Sequence, residues 1–148
     1  MRLFLIVTLA LAVAACGPSG TVDNALKLEQ FRGEWLIINY WAVWCKPCIE
    51  EIPELNALNS LPGVAVVGVN YDGATGPALV EQLQKLQISF PTLAADPAAA
   101  LGIARPSVLP TSLVLDPEGR LHQTLVGPQT IESLQAATRE QLDSSAEG

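Results

Sequence analysis

Seven residues, Trp35-Leu36-Ile37-Ile38-Asn39-Tyr40-Trp41, form an almost unbroken apolar and aromatic run. A run of this kind suits a strand buried on both faces of a sheet. Trp44-Cys45-Lys46-Pro47-Cys48 follows, and from Cys48 the pattern becomes helical, with Ile49, Ile52, Leu55 and Leu58 spaced by three and Glu50, Glu51 and Glu54 between them. A chain that passes from buried strand to amphipathic helix through Cys-x-x-Cys places Cys45 at a helix N-terminus. Unpaired N–H groups and the helix dipole there favour a thiolate. Lys46 adds a neighbouring cation that pushes the same way. Pro47 falls in the first turn, where its missing N–H costs nothing. Cys48, one turn on, is within disulfide reach and is expected to point further into the protein. Cys45 is therefore expected to attack a partner disulfide or be attacked, and Cys48 to resolve the mixed disulfide.

Simpler uses of the two sulfurs fit less well. A disulfide closing a four-residue loop restricts the unfolded chain only slightly, so stability is a weak reason for it. A zinc site needs two further ligands, and His122 is the only histidine. No metal and no cofactor is expected. Three cysteines in 148 residues are too few for a disulfide-stapled miniprotein. Eight Lys and Arg against fifteen Asp and Glu give a formal charge of −7, which argues against a nucleic-acid partner. With 49% apolar and 16% charged residues, the chain is not intrinsically disordered.

The remaining pattern alternates strands and helices. Residues 23–31 suit a short helix or irregular lead-in and 32–34 a turn. Pro62-Gly63 precedes a second buried strand at 64–70, and Leu79, Leu83 and Leu86 make one stripe of a helix over 77–86. A short strand is expected at 90–94 and a short helix from Asp96-Pro97 to Gly102. Residues 111–115 and 120–126 read as a hairpin around Asp116-Pro117-Glu118-Gly119, followed by a helix over 130–142 with Ile131, Leu134 and Leu142 inward. The expected class is α/β, a mixed sheet flanked by helices in one domain over 23–148.

Ahead of that domain, Arg2 and an apolar run from Leu3 to Ala15 have the form of a cleavable signal peptide. A helix of that run spans roughly 20 Å, short of a hydrocarbon core of roughly 30 Å. Val13-Ala14-Ala15-Cys16 resembles the bacterial lipobox, which makes Cys16 the expected lipid attachment site and 1–15 a lipoprotein signal. Residues 16–22, with Gly17-Pro18-Ser19-Gly20, have the composition of a flexible tether. The expected location is the cell envelope, lipid-anchored on the periplasmic or outer side of the cytoplasmic membrane.

Trp41-Ala42-Val43-Trp44-Cys45-Lys46-Pro47-Cys48 resembles the WAxWCxxC site of the thioredoxin superfamily. Further features resemble its exported TlpA/ResA-like branch. The helix continues Ile49-Glu50-Glu51-Ile52-Pro53-Glu54-Leu55, similar to that branch's CxPCxxExPxL. Residues 77–94 occupy the place of its central insertion. Leu109-Pro110-Thr111, followed by Asp116 and Gly119, resembles its (V/L)PTxxxIDxxG segment. The resemblance implies a thioredoxin-like sandwich and a protein thiol–disulfide oxidoreductase. It implies that Pro110 is a cis-proline beside the disulfide and that Leu109, Pro110 and Thr111 bind substrate, the Leu109 backbone pairing with an extended segment. Glu51 matches a glutamate near the cysteines that tunes or relays protons, although a solvated helix-face carboxylate fits the spacing equally. Trp44 is expected to stand exposed beside the disulfide, while Trp35, Tyr40, Trp41 and Phe90 read as core and His122 as surface.

Two departures narrow the reading. Asn39 stands where cytosolic thioredoxin carries a buried aspartate, leaving Glu51 as the proton acceptor. Thr111 stands where the cytochrome-maturation branch has a glutamate, which weakens a dedicated apocytochrome c role. Pro47 before the second cysteine resembles reducing members, whereas Lys46 raises the potential by stabilising the Cys45 thiolate. The implied partners are protein disulfide substrates, a membrane thiol-electron donor of the DsbD/CcdA type, and the membrane itself through the lipid. The rivals are a copper-binding chaperone using the same two thiols, and a thiol oxidase or peroxidase. Sco-type copper carriers have CxxxC, and the fold's peroxidases keep Thr or Ser where Ala42 stands.

Overall fold

The computed structural model describes Val22, Asp23 and residues 27–144. The signal, Cys16 and most of the tether lie outside the described residues, as does the side chain of Leu142. In chain order the elements are β1 (Val22–Asp23), a 3-10 turn (Leu28–Phe31), β2 (Trp35–Trp41), α1 (Lys46–Asn59), β3 (Val64–Asn70), α2 (Gly76–Lys85), β4 (Thr92–Leu93), β5 (Thr111–Leu115), β6 (Leu121–Val126) and α3 (Ile131–Ser144).

The strands form one mixed sheet in the order β1-β4-β3-β2-β5-β6. β2 is central and is buried from Leu36 onward, as its apolar run requires. It pairs in parallel with β3, Trp35 opposite Val64 through Trp41 opposite Asn70, and antiparallel with β5, Leu36 opposite Leu115 through Tyr40 opposite Thr111. The parallel β2–β3 pair needs a crossover, which α1 supplies. α2 and β4 fill the place of the central insertion. β1 pairs with β4, Val22 opposite Thr92, a contact the sequence pattern did not indicate.

The core has two halves, one on each side of the sheet. Ile37, Trp41, Val66, Phe90 and Val114 meet Ile52, Leu55 and Leu58 of α1, Leu79 and Leu83 of α2, and Leu134 and Ala137 of α3. Full burial of each valine, leucine, isoleucine or phenylalanine among them is worth about 1.5–3 kcal/mol. On the other face Ile38, Tyr40, Val67, Leu113 and Leu115 are covered by Leu28, Phe31, Leu101 and Ile103, which belong to segments without an α-helix.

Residues 97–102 form a single turn and not the expected helix. Leu101 N–H donates to Pro97 O, but Gly102 N–H then reaches Ala99 O and Ile103 N–H reaches Ala98 O. With Gly102 at φ +68° this is a Schellman-type stop. A turn that starts at Pro97 and stops at Gly102 has no room to propagate. The inward stripe of α1 also differs from the expected one. Cys48, Glu51, Ile52, Leu55 and Leu58 are buried, while Ile49 is 37% exposed. At 100° per residue, Cys48 stacks under Ile52, and Ile49 lies on the flank.

Candidate functional site: a disulfide at a helix N-terminus

β2 ends at Trp41, and the chain turns through residues 42–44 with Cys45 N–H donating to Ala42 O at 3.1 Å. Cys45 has extended backbone angles and is the N-cap of α1. Its carbonyl accepts from Ile49 N–H, and its Sγ accepts from Cys48 N–H at 3.2 Å. Pro47 lies in the first turn, where no donor is lost. Cys45 and Cys48 are joined as a disulfide with Cα atoms 5.3 Å apart. Cys45 is 5% exposed and Cys48 1%, so Cys45 is the sulfur nearer the solvent.

Lys46 does not sit over the sulfur as an unopposed cation. It is 87% exposed, and its Nζ lies 3.7 Å from Glu50 Oε1. Trp44 is 63% exposed, yet its indole Nε1–H donates to both carboxylate oxygens of Asp72, at 2.9 and 3.1 Å.

Glu51 is 2% exposed, which sets aside the solvated-carboxylate alternative. Its Oε1 accepts from Asn39 Nδ2 at 2.6 Å and its Oε2 from Gln129 N–H at 2.9 Å. Asn39 also donates to Ser112 Oγ at 3.0 Å, so the carboxylate is tied to β2, β5 and the approach to α3. Burial pushes its pKa up to about 6, against the lowering by the bonds from Gln129 and Asn39. A carboxyl poised near neutrality, one helical turn beyond Cys48 on the same inward stripe, is suited to exchanging a proton inside the protein. Asn39 thus occupies the inner face beneath α1 as the holder of an acid from the neighbouring element.

The Leu109–Pro110 peptide bond is cis. Thr111 starts β5 opposite Tyr40, which puts Pro110 level with Trp41, at the end of the sheet where the cysteine loop leaves β2. Pro110 O accepts from Gly127 N–H, and Thr111 Oγ1 donates to Val108 O. Leu109 is half-buried and packs against both halves of the core. Tyr40, Trp41 and Phe90 are core, as expected, while Trp35 is half-buried and meets His122 edge-on at 5.2 Å.

Sequence reasoning missed a cluster beside the cysteine loop. The Arg105 guanidinium lies 3.9 Å from the centroid of the Tyr71 ring and pairs with Asp96 at 2.7 Å, and Asp96 accepts from the Tyr40 hydroxyl at 2.7 Å. Tyr40 and Asp96 alone are 56 positions apart, and no spacing rule joins the four residues.

The site's surroundings have known counterparts. The chain is 28% identical over 113 residues to the thiol-disulfide oxidoreductase ResA of Bacillus anthracis, an alignment covering 74% of this chain and 65% of that protein, so it spans just under two thirds of that relative's length. The structure resembles a secreted thiol-disulfide isomerase from Corynebacterium glutamicum, with a TM-score of 0.66 and 26% identity over 80% of this chain and 76% of that one. A thioredoxin family protein from Chlorobium tepidum, 22% identical, shares the fold with a TM-score of 0.60 over 86% of this chain and 98% of its own. The fold is thioredoxin-like. The profile of the AhpC/TSA family matches residues 12–124, a span holding the disulfide, Glu51 and the cis-proline, and the chain belongs to that family.

Proposed function

We propose that the chain is an exported, lipid-anchored thiol–disulfide oxidoreductase that reduces protein disulfides through Cys45 and Cys48. The observation that carries this reading is the Cys45–Cys48 disulfide capping α1, with the buried Glu51 carboxyl one turn beyond it. In the reduced protein the Cys45 thiolate, favoured by the helix N-terminus, attacks a substrate disulfide. One substrate sulfur leaves as a thiolate and a mixed disulfide forms. Cys48 gives its proton to Glu51 and attacks Cys45 Sγ, which restores the Cys45–Cys48 disulfide and releases the second substrate thiolate. Two electrons pass from the dithiol to the substrate, and a membrane dithiol of the DsbD/CcdA type returns them. Trp44, Lys46 and Pro47 frame the attacking sulfur, and Leu109, Pro110 and Thr111 receive the substrate backbone. Cys16 carries the lipid, which raises the effective concentration of a membrane donor.

Cys48→Ser is the direct test. It removes the resolving thiol and should accumulate mixed disulfides through Cys45, whereas Cys45→Ser should accumulate none; a Cys48→Ser protein that traps no thiol protein overturns the exchange mechanism. The direction follows from the equilibrium potential of the pair, for which a value of about −270 mV marks a reductant and one of about −120 mV an oxidant. Release of Cys16→Ser from the membrane fraction tests the anchor.

A further inference from the structure

Among the described large hydrophobic side chains Trp44 is the most exposed, and it is also firmly held. Asp72 accepts its indole N–H, and its ring meets Tyr71 edge-on, with centroids 6.5 Å apart and planes at 86°. Tyr71 is itself fixed. Its N–H donates to Trp41 O, its carbonyl accepts from Arg105 Nη2, and the Arg105 guanidinium lies over its ring. Arg105 Nε donates to Asp96 Oδ2, and Asp96 Oδ1 accepts from Ala98 N–H and from the hydroxyl of Tyr40, a fully buried residue of β2. Burial raises the Asp96 pKa, but the bonds from Ala98, Tyr40 and Arg105 outweigh it and hold the carboxyl below its usual range. A line of contacts therefore runs from the central strand to an indole standing next to Cys45.

An exposed tryptophan leaves apolar surface in water, and immobilising it beforehand removes part of the ordering cost when something binds to it. We propose that Arg105 is a positioning residue which, through Tyr71, fixes Trp44 as a platform for an extended polypeptide segment carrying an apolar side chain beside the disulfide to be reduced. This rests on the disulfide-reducing function proposed above. The segment of residues 96–105, which lacks a helix, thereby sets a preference for polypeptide disulfides over small ones. Fixed aromatic and arginine side chains are the groups that concentrate binding energy at protein contacts.

The experiment compares reduction of insulin and of oxidised glutathione by wild type, Arg105→Ala, Arg105→Lys and Asp72→Ala. For Arg105→Ala the expected result is a KM for insulin raised about tenfold with kcat within about twofold. The loss toward oxidised glutathione is smaller, and Arg105→Lys, which keeps a cation for the Tyr71 ring, recovers part of the KM. Asp72→Ala releases the other side of the indole at an exposed position and raises the insulin KM as well, which keeps the test available if Arg105→Ala does not fold. The Trp44 indole proton, assigned with Trp44→Phe, is expected to shift in the Arg105→Ala spectrum. An unchanged insulin KM in Arg105→Ala or Asp72→Ala, or equal losses on insulin and glutathione, overturns the inference alone. A wild type that reduces neither substrate overturns the function itself and the inference with it.

Discussion

Asn39 Nδ2 donates to Glu51 Oε1 at 2.6 Å, joining the central strand to the helix that carries Cys48. Both side chains are at least 98% buried, so this bond holds a carboxyl in a region where its charged form is poorly solvated. The pKa of Glu51 consequently rises from 4.5 to about 6. Between those values the folded protein keeps a proton that the unfolded chain has released. Stability from this group is therefore greatest below pH 4.5 and falls as pH rises through 6, by about 2 kcal/mol in all. Urea unfolding of the oxidised protein from pH 4.5 to 7.5 should show this decline, and Glu51→Gln should flatten it. An identical slope in both proteins means that Glu51 titrates normally.

A second carboxylate on the same helix has a structural task. Glu54 Oε2 accepts from the N–H of Ile131, the first residue of α3, at 2.9 Å. Thr130 Oγ1 accepts from Ser133 N–H, so the helix start is capped from within its own chain segment and also from α1. Removing a cap of this kind costs about 1 kcal/mol. Glu54→Ala is expected to lower unfolding free energy by that amount and to speed hydrogen exchange at Ile131 while amides of β2 keep their protection. Unchanged exchange at Ile131 rules out this capping role.

The two carboxylates show where sequence reading reached and where it stopped. β2, β3 and β5 were legible because continuous apolar runs have few other uses, and the Cys45–Cys48 disulfide was legible because its spacing between strand and helix puts the two sulfurs one turn apart. Glu51 was ambiguous because a spacing of three from Ile52 selects Ile49, whereas the true stripe steps back four to Cys48 and takes Glu51 along. Burial of an acid depends on donors from elsewhere, here Asn39, twelve residues away, and Gln129, seventy-eight away. The helix expected at 96–102 failed because the turn that opens at Pro97 is stopped at Gly102 before a second turn can form. Arg105 carried no signal at all, since its meaning lies in Tyr71, which is thirty-four residues distant.

Lys46 adjoins Cys45 in sequence, yet its ammonium is in water and 3.7 Å from the Glu50 carboxylate. Water and an adjacent opposite charge together screen its field at the sulfur. The helix N-terminus, whose Cys48 N–H already points at Cys45 Sγ at 3.2 Å, is fixed by the backbone and is not screened in this way. A Cys45 thiolate stabilised mainly by the backbone is the expected outcome, and Lys46→Gln should then lower the reduction potential by less than about 15 mV. The check is equilibration of both proteins with a dithiol buffer at low and at high salt. A fall of more than about 30 mV at low salt that disappears at high salt assigns the thiolate to Lys46 after all.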